Sequence, residues 1–225
     1  MTLYSAPNEP YSQHIARALE VWNTLRPRFL PTLSRLFERS MDDRVVQLIE
    51  AHDLGKLTQL WQAGIRRRAA GERLRLPSHA AIGAAALVQV VGDTDAGLAA
   101  AFAVAIHHLD RGTVGDLLER PDVRAITDGI VDESGRLLWH PHAESVAPTW
   151  AVLHDVTLDS LTEMARALRR WARGGPLVIL HRRRLLASAL HHVLKVCDIR
   201  AAVQRHEGGE SHPFCQTLVR GGLVC

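Results

Sequence analysis

Two apolar stretches in the middle of the chain constrain its fold more than any other feature. They run from Ala80 to Val91 and from Ala96 to Ile106, and the residues between them, Gly92-Asp93-Thr94-Asp95, are typical of a turn. Each stretch is too short to span a bilayer and is therefore predicted to be a buried helix. We predict one helix from His79 to Val91 and a second from Ala96 to His108, each of about 13 residues or roughly 20 Å. If the two form an antiparallel hairpin, His79 lies beside the doublet His107-His108.

The rest of the chain also has a helical pattern. Apolar residues recur at helical spacing, and alternating runs rich in Val, Ile, Thr and Tyr are scarce, so the sequence predicts an all-α fold. Besides the hairpin, the predicted helices cover 13–25 with Ser12 as N-cap and Pro27 after its end, 31–39, a helix from Asp42-Asp43 that ends or bends near Gly55, a segment through Leu60 and Trp61, 158–173 and 180–206.

Length and composition indicate one soluble globular domain. The chain has 225 residues, of which 47% are hydrophobic and 23% charged, which allows a sizeable core. We predict a domain over 1–206, an irregular insertion at about 111–157 where Gly and Pro are frequent, and a tail of uncertain order over 207–225. The three cysteines form no CxxC pair and the N-terminus lacks a signal-peptide pattern, so a cytoplasmic location and no membrane segment are expected.

An ordered series of histidines and carboxylates carries the candidate chemistry. The pair His52-Asp53 lies in Ala51-His52-Asp53-Leu54-Gly55-Lys56 and is followed by His79, His107-His108 and Asp198. Any single histidine is more often a hydrogen-bonded residue at a helix end. A converging series of imidazoles and carboxylates, however, can hold two metal ions, and this indicates phosphodiester chemistry.

These motifs resemble the HD phosphohydrolase superfamily. Within it, the chain is most similar to the HD nuclease domain of the type I CRISPR-associated helicase-nuclease. The resemblance extends from about residue 3 to about residue 203, and it implies an all-α domain that binds one or two divalent transition-metal ions and hydrolyses single-stranded DNA. The segments that carry it are 51–56, Ser78-His79-Ala80-Ala81-Ile82-Gly83-Ala84, Val104-Ala105-Ile106-His107-His108, Lys195-Val196-Cys197-Asp198, and the opening Tyr4-Ser5-Ala6 with Tyr11-Ser12-Gln13-His14.

The resemblance also implies a set of site residues. It assigns one ion to His14, His52, Asp53 and Asp198 and the second to His79, His107 and His108, with Asp53 bridging the two. The many imidazoles favour Mn, Fe, Co or Ni over Mg, which prefers oxygen ligands. Asp53 and Lys56 are the predicted catalytic residues, and the lysine is expected to lie near the phosphate as a positive charge.

An arginine-rich segment joins the His-Asp pair to His79. We expect it to emerge beside the metals and to contact the DNA backbone, with an ordinary solvated surface as the alternative. Trp61 is expected to be near enough for base stacking. The predicted nucleic-acid contacts are Arg66, Arg67, Arg68, Arg73 and Arg75.

Four other groups are not assigned to catalysis. His154-Asp155 lacks a following Gly-Lys and is expected in a loop or helix cap. His191 is expected to pack inside the helix bundle, and Arg182-Arg183-Arg184 to lie on the surface. The late group of His206, His212, Cys215 and Cys225 matches no strong zinc pattern.

The sequence therefore predicts a stand-alone HD nuclease of type I CRISPR interference. The chain contains no GxxxxGK[ST] phosphate loop, so the expected partners are a separate helicase subunit and the crRNA-guided surveillance complex, with single-stranded DNA as substrate. An HD phosphohydrolase acting on nucleotides or cyclic nucleotides is the alternative, and a non-catalytic helical adaptor is a third hypothesis.

Overall fold

The described residues, 2–108 and 129–204 of a computed structural model, are mostly helical, which confirms the all-α prediction. The predicted tail, 207–225, and residues 111–128 of the predicted insertion lie outside the described residues. The elements are β1 (Tyr4–Ala6), β2 (Glu9–Pro10), α1 (Tyr11–Phe37), α2 (Asp42–Ala51), α3 (Gln59–Ala69), α4 (Ala80–Val91), α5 (Asp95–Ala105), α6 (Ala143–Val146), α7 (Leu158–Arg173) and α8 (Leu177–Gln204), with 3₁₀ turns at Leu54–Leu57 and Ala151–Asp155.

Helices α4 and α5 form the predicted hairpin at the centre of the fold. Both helices are rich in alanine, and most of their residues are buried. Gly92 ends α4 with a φ of 71°, a backbone conformation that glycine adopts without steric cost. Thr94 then caps α5, because its hydroxyl accepts a hydrogen bond from the Gly97 amide at 3.1 Å. Gly92 and Thr94 therefore define the turn of the hairpin, and the apolar composition of its two helices explains their burial.

Helix α1 is one continuous helix, so the predicted Ser12 cap and the predicted break at Pro27 are both wrong. Pro27 and Pro31 lie four residues apart and are both exposed. The carbonyls that lose their helical partners to these prolines face water, which can hydrogen-bond them. Leu33 and Phe37, beyond the prolines, are buried. Tertiary packing of this amphipathic helix thus overrides a local cost of about 3 kcal/mol for a proline in a helix interior.

Helix α8 packs along both α1 and α5 and closes the bundle. It begins at Leu177, three residues before the predicted start, directly after Pro176. Helix α7 covers the predicted range 158–173, and its N-terminus has a capping box between Thr157 and Ser160. The long α8 carries Asp198 into the bundle at the level where α2 and α5 end.

Residues 129–157 form short elements that support the turn after α2. The amide of Gln59 donates to the Leu138 carbonyl at 2.9 Å, and the amide of His140 donates to the Leu57 carbonyl at 2.9 Å. These bonds tie the end of the 3₁₀ turn at Leu54–Leu57 and the start of α3 to residues 138–140. Within residues 2–108 and 129–204, no helix has both the length and the apolar character that a bilayer span requires.

Candidate metal centre

The His-Asp pair lies just beyond α2 rather than on its last turn. Helix α2 ends at Ala51, His52 is its C-cap, and Asp53 begins the 3₁₀ turn. Both side chains are buried, with relative exposures of 0% and 1%. The Asp53 carbonyl accepts from the Lys56 amide at 2.8 Å, which closes the turn. The sharp change of direction points both side chains into the bundle.

Two glycines let helix α4 lie directly against this turn. A Cβ atom on Gly83 would collide with the Ala51 carbonyl oxygen, and one on Gly55 would lie 2.8 Å from the His79 Cα. Gly55 was expected to end or bend α2, but α2 ends four residues earlier and the glycine instead makes room for His79. The glycine of the HDxGK motif is therefore a close-approach residue.

One oxygen of the Asp53 carboxylate, Oδ1, lies at the open end of the α4–α5 hairpin. Asp53 Oδ1 lies 3.1 Å from His79 Nε2 and 3.9 Å from His107 Nε2. The Nε2 atoms of His79 and His108 are 2.9 Å apart. The expectation that the hairpin brings these histidines together is confirmed by these distances.

The other carboxylate oxygen faces a second group. Asp53 Oδ2 lies 3.5 Å from the Nε2 atoms of both His14 and His52. Asp198 Oδ1, from α8, lies 3.3 Å from His14 Nε2 and 3.7 Å from His52 Nε2. Asp53 therefore stands between two clusters of potential ligands, one on each oxygen.

The residues present fit divalent metal ions. The Nε2 atoms of His14, His52 and His107 and Oδ1 of Asp53 are buried and have no hydrogen-bond partner among the described residues, an arrangement that is costly unless something else coordinates them. Nδ1 of His52 lies 2.5 Å from the Ile49 carbonyl and Nδ1 of His107 lies 2.6 Å from the Val104 carbonyl. These contacts orient both rings with Nε2 toward Asp53, as in protein metal sites. Two groups offer ligand atoms within 4.8 Å of one another: Asp53, His79, His107 and His108, and His14, His52 and Asp53.

Electrostatics set the two groups in different protonation states. Burial raises the pKa of Asp53, but His52, Lys56 and His79 outweigh it and hold that pKa well below its usual range. Burial lowers the pKa of His14, but the nearby carboxylates of Asp198 and Glu9 outweigh it and raise the pKa to about 9. Burial lowers the pKa of His107, and it lowers the pKa of His108 to about 3. At neutral pH, a metal ion held by the His14 group would therefore have to displace a proton, whereas His107 and His108 are already neutral.

Two proteins with known names are similar to this chain over most of its length. No protein-family model matches the chain. The CRISPR-associated endonuclease Cas3-HD of Thermoproteus tenax is 28% identical, and the match covers 84% of this chain and 83% of that protein. A solved structure, the CRISPR-associated Cas3 HD domain protein of Methanocaldococcus jannaschii, matches with a TM-score of 0.63 over 86% of this chain and 99% of that one, at 19% identity.

Together, the two matches support the identification of this chain as a stand-alone Cas3 HD domain. They also support a metal-dependent HD hydrolase or nuclease with the helical HD fold, and the His and Asp clusters of the bundle are its candidate metal-binding groups.

Lys56 of this HD domain contacts the central carboxylate itself. Its Nζ donates to Asp53 Oδ2 at 2.6 Å and lies 5.6 Å from the centroid of the Trp61 ring. Trp61 is only 3% exposed and packs edge-on against His79, with ring centroids 6.2 Å apart. Base stacking on Trp61 was expected, but a buried ring offers no face to a base. The tryptophan instead packs against Lys56 and His79.

The arginine-rich segment lies on the surface of the HD domain. All five arginines are exposed. Arg67 forms an ion pair with Glu72, at 2.6 Å, and Arg66 approaches His140, with 3.5 Å between Nη2 and Nε2. Arg68, Arg73 and Arg75 line an open cavity of about 680 Å³ together with Pro7 of the β1–β2 turn. The segment therefore presents a basic surface next to the N-terminal hairpin.

Three of the four groups that were not assigned to catalysis are absent from the two candidate metal-ligand clusters. His154 is exposed and pairs with Glu144, and Arg183 binds Asp95, with Nε 3.2 Å from Oδ1. His191 faces the end of α5, where burial lowers its pKa. The group of His206, His212, Cys215 and Cys225 lies outside the described residues.

Two residues at the centre were not predicted from sequence. Glu9 is 2% exposed, and its Oε1 lies 3.3 Å from His14 Nδ1. Lys195 Nζ donates to the His107 carbonyl at 2.9 Å. The position of Lys195, three residues before Asp198 on one helix, could have suggested this proximity. No sequence signal marks Glu9, because its partner lies across a turn whose geometry the sequence does not show.

Proposed function

We propose that this HD domain is a metal-dependent nuclease that cleaves single-stranded DNA during type I CRISPR interference. The observation that carries the proposal is the Asp53 carboxylate, whose two oxygens face two separate groups of imidazoles. A carboxylate in that position suits a bridging ligand of a two-metal phosphodiesterase. The name of the relative from Thermoproteus tenax, an endonuclease, supports the same activity.

The proposed ligands divide between two ions. His14, His52 and Asp198 would hold one ion, His79, His107 and His108 the other, and Asp53 would contact both. Divalent ions in such a site supply Lewis acidity, which activates water and neutralises charge on a phosphodiester. The predominance of imidazole donors favours Mn, Fe, Co or Ni over Mg.

The protein's own residues would position these groups and the substrate. Asp53 stays ionised because His52, Lys56 and His79 stabilise its charge. Lys56 contributes a fixed positive charge beside Asp53 Oδ2, which we propose favours binding of the scissile phosphate. Arg68, Arg73 and Arg75, around the open cavity, would hold the phosphates of a polymer.

A polymer substrate also sets the proposed partners. Because the chain has no GxxxxGK[ST] loop, we propose that a separate helicase and the crRNA-guided surveillance complex deliver the displaced strand to this domain.

The test is a nuclease assay with metal-stripped protein. Labelled single-stranded and duplex DNA are incubated with the protein and one added ion, Mn, Co, Ni or Mg, and in parallel a mononucleotide and a cyclic nucleotide are supplied. We expect cleavage of single-stranded DNA with a transition metal, loss of cleavage in chelator, and slower cleavage of duplex.

The same assay separates the alternatives. Hydrolysis of a nucleotide without cleavage of DNA under any metal would replace the proposal with a nucleotide phosphohydrolase. Inactivity on every substrate in protein that has been shown to bind metal would favour a non-catalytic helical adaptor.

A further inference from the structure

Glu9 is a buried carboxylate at the back of the candidate metal centre. It lies in β2, two residues before α1 begins. Its Oε2 accepts a hydrogen bond from the Ser5 hydroxyl at 3.0 Å, and its Oε1 accepts one from the Arg17 guanidinium at 3.2 Å. The same Oε1 lies 3.3 Å from Nδ1 of His14. His14 therefore stands between Glu9 on one side and Asp53 and Asp198 on the other.

His14 needs such a partner because of where it lies in its helix. His52 and His107 follow the C-terminal ends of α2 and α5, where backbone carbonyls lack helical partners and accept from Nδ1. His14 lies in the first turn of α1, where the unpaired backbone groups are N–H donors. No carbonyl is left over at that end, so an acceptor for Nδ1 has to come from a side chain.

The N-terminal hairpin that holds Glu9 is anchored independently of His14. Tyr4, in β1, donates its amide to Gln62 Oε1 at 3.0 Å and accepts at its carbonyl from Gln62 Nε2 at 2.8 Å. Gln62 Nε2 also donates to the Lys56 carbonyl at 2.8 Å. The strand is thus tied to the turn that carries Asp53, and this fixes the carboxylate relative to the site.

We propose that Glu9 is a positioning residue of the metal centre: its carboxylate accepts the Nδ1 proton of His14, aims Nε2 at Asp53 and Asp198, and makes the imidazole a stronger donor to the ion bound there. This inference rests on the proposed function. A carboxylate behind a ligating histidine fixes the ring tautomer and raises its basicity, and the loss of such a partner typically costs roughly 10- to 100-fold in metal affinity or activity.

The test compares Glu9→Gln with Ser5→Ala in the full chain. The glutamine keeps the size of Glu9 and removes its charge, whereas the alanine removes one hydrogen bond to the same carboxylate and leaves its contact with His14. Metal-free proteins are titrated with Co²⁺ alone, followed by calorimetry and by the visible Co²⁺ absorption, and thermal unfolding is measured without metal.

We expect Glu9→Gln to weaken one of the two Co²⁺ binding events roughly 10- to 100-fold and to change its absorption spectrum, while the other event is unchanged. Ser5→Ala should keep wild-type affinity within about threefold, since the carboxylate and its contact with His14 remain. If the glutamine variant does not fold, Glu9→Asp takes its place, because it retains the charge with a shorter reach, and the same weakening at one event is expected.

Wild-type Co²⁺ affinity in a folded Glu9 variant would overturn the positioning role and leave the proposed nuclease intact. Equal weakening in Glu9→Gln and Ser5→Ala, in proportion to their loss of thermal stability, would also overturn it, because the hairpin would then act only through folding. Failure of wild-type protein to bind Co²⁺ at all would instead remove the metal centre, and with it both proposals.

Discussion

The dipeptide His-Asp occurs twice in this chain, and the two copies lie in opposite environments. His52 and Asp53 are buried, with exposures of 0% and 1%, and side chains from α1, the start of α4, the end of α5 and α8 converge on them. The His154 side chain is 66% exposed and pairs with Glu144, which is 58% exposed. The comparison shows that the sequence His-Asp alone does not make a candidate metal site. The side chains that surround it do.

Burial explains why the difference is so large. An exposed polar contact such as that of His154 with Glu144 is surrounded by water and contributes little to stability. Around Asp53 the same charges act at a lower effective dielectric and change protonation states. The buried pair therefore offers ligand atoms without hydrogen-bond partners, which a metal ion can bind. The exposed pair can form hydrogen bonds with water instead.

The largest expected effect is that of a substitution at Asp53, compared with the same substitution at Asp155. Asp53→Asn should reduce metal-dependent DNA cleavage by more than about 100-fold, since the loss of a residue that merely supports a ligand costs roughly 10- to 100-fold. Asp155→Asn should leave the rate unchanged. Initial rates with Mn²⁺ and bound metal measured by mass spectrometry check both variants. A fully active, metal-loaded Asp53→Asn protein would remove the distinction between the two pairs.

The second prediction tests whether the close approach of α4 to the end of α2 creates the buried environment of His52 and Asp53. In Gly83→Ala, the new methyl group meets the Ala51 carbonyl, so we expect a loss of about 1–3 kcal/mol in the free energy of unfolding together with weaker metal binding. Gly71→Ala is the control for a loss of stability away from the site: its Cβ would meet open space, but its φ of 93° makes an alanine strained there. It should lower the free energy of unfolding and leave metal binding unchanged. Urea unfolding and Co²⁺ titration measure the two quantities. Unchanged metal affinity in Gly83→Ala would show that the contact between α4 and the turn is dispensable.

The third prediction concerns the exposed arginines, which should affect binding of DNA but not binding of the metal. Replacement of the five arginines of this segment by Gln should weaken binding of single-stranded DNA and flatten its salt dependence by about 0.7 in logarithmic slope for each phosphate that the protein no longer neutralises. The five are Arg66, Arg67, Arg68, Arg73 and Arg75. The control replaces Arg182 and Arg184 by Gln. Fluorescence anisotropy of metal-free protein, measured against salt concentration, gives the slopes. Equal slopes in all proteins would reject the arginine-rich segment as a DNA-binding surface.

The smallest effect is expected at the exposed pair itself. His154→Ala should change the free energy of unfolding by no more than about 0.5 kcal/mol, because surface substitutions away from special contacts rarely do more. Bound metal should be the same as in the wild type. A substantial loss of metal in this variant would contradict the contrast between the two His-Asp pairs.

The contacts predicted from sequence were those fixed by helix geometry. Two apolar arms of similar length joined by a turn place His79 next to His108, whatever the rest of the fold does. The break predicted at Pro27 was wrong, because burial of Leu33 and Phe37 is a property of the assembled bundle and not of the local sequence.

The remaining parts of the candidate site depend on contacts between distant segments. Gly55 has the spacing of a helix terminator, but its role is set by the His79 backbone, which packs against it. Glu9 has no pattern at all, since its contact with His14 depends on the path of a two-stranded hairpin. Trp61 was placed near the site correctly, but its burial could not be inferred from its position in the sequence.

The distribution of amino groups has a practical consequence. The chain has only two lysines, and both contact the site: Lys56 through the Asp53 carboxylate and Lys195 through the His107 carbonyl. A lysine-specific protease therefore has two cleavage points in the entire sequence, each requiring local opening around the centre. Its digestion rate, with and without added ions, measures the opening equilibrium of this one region directly, and no engineered reporter is needed.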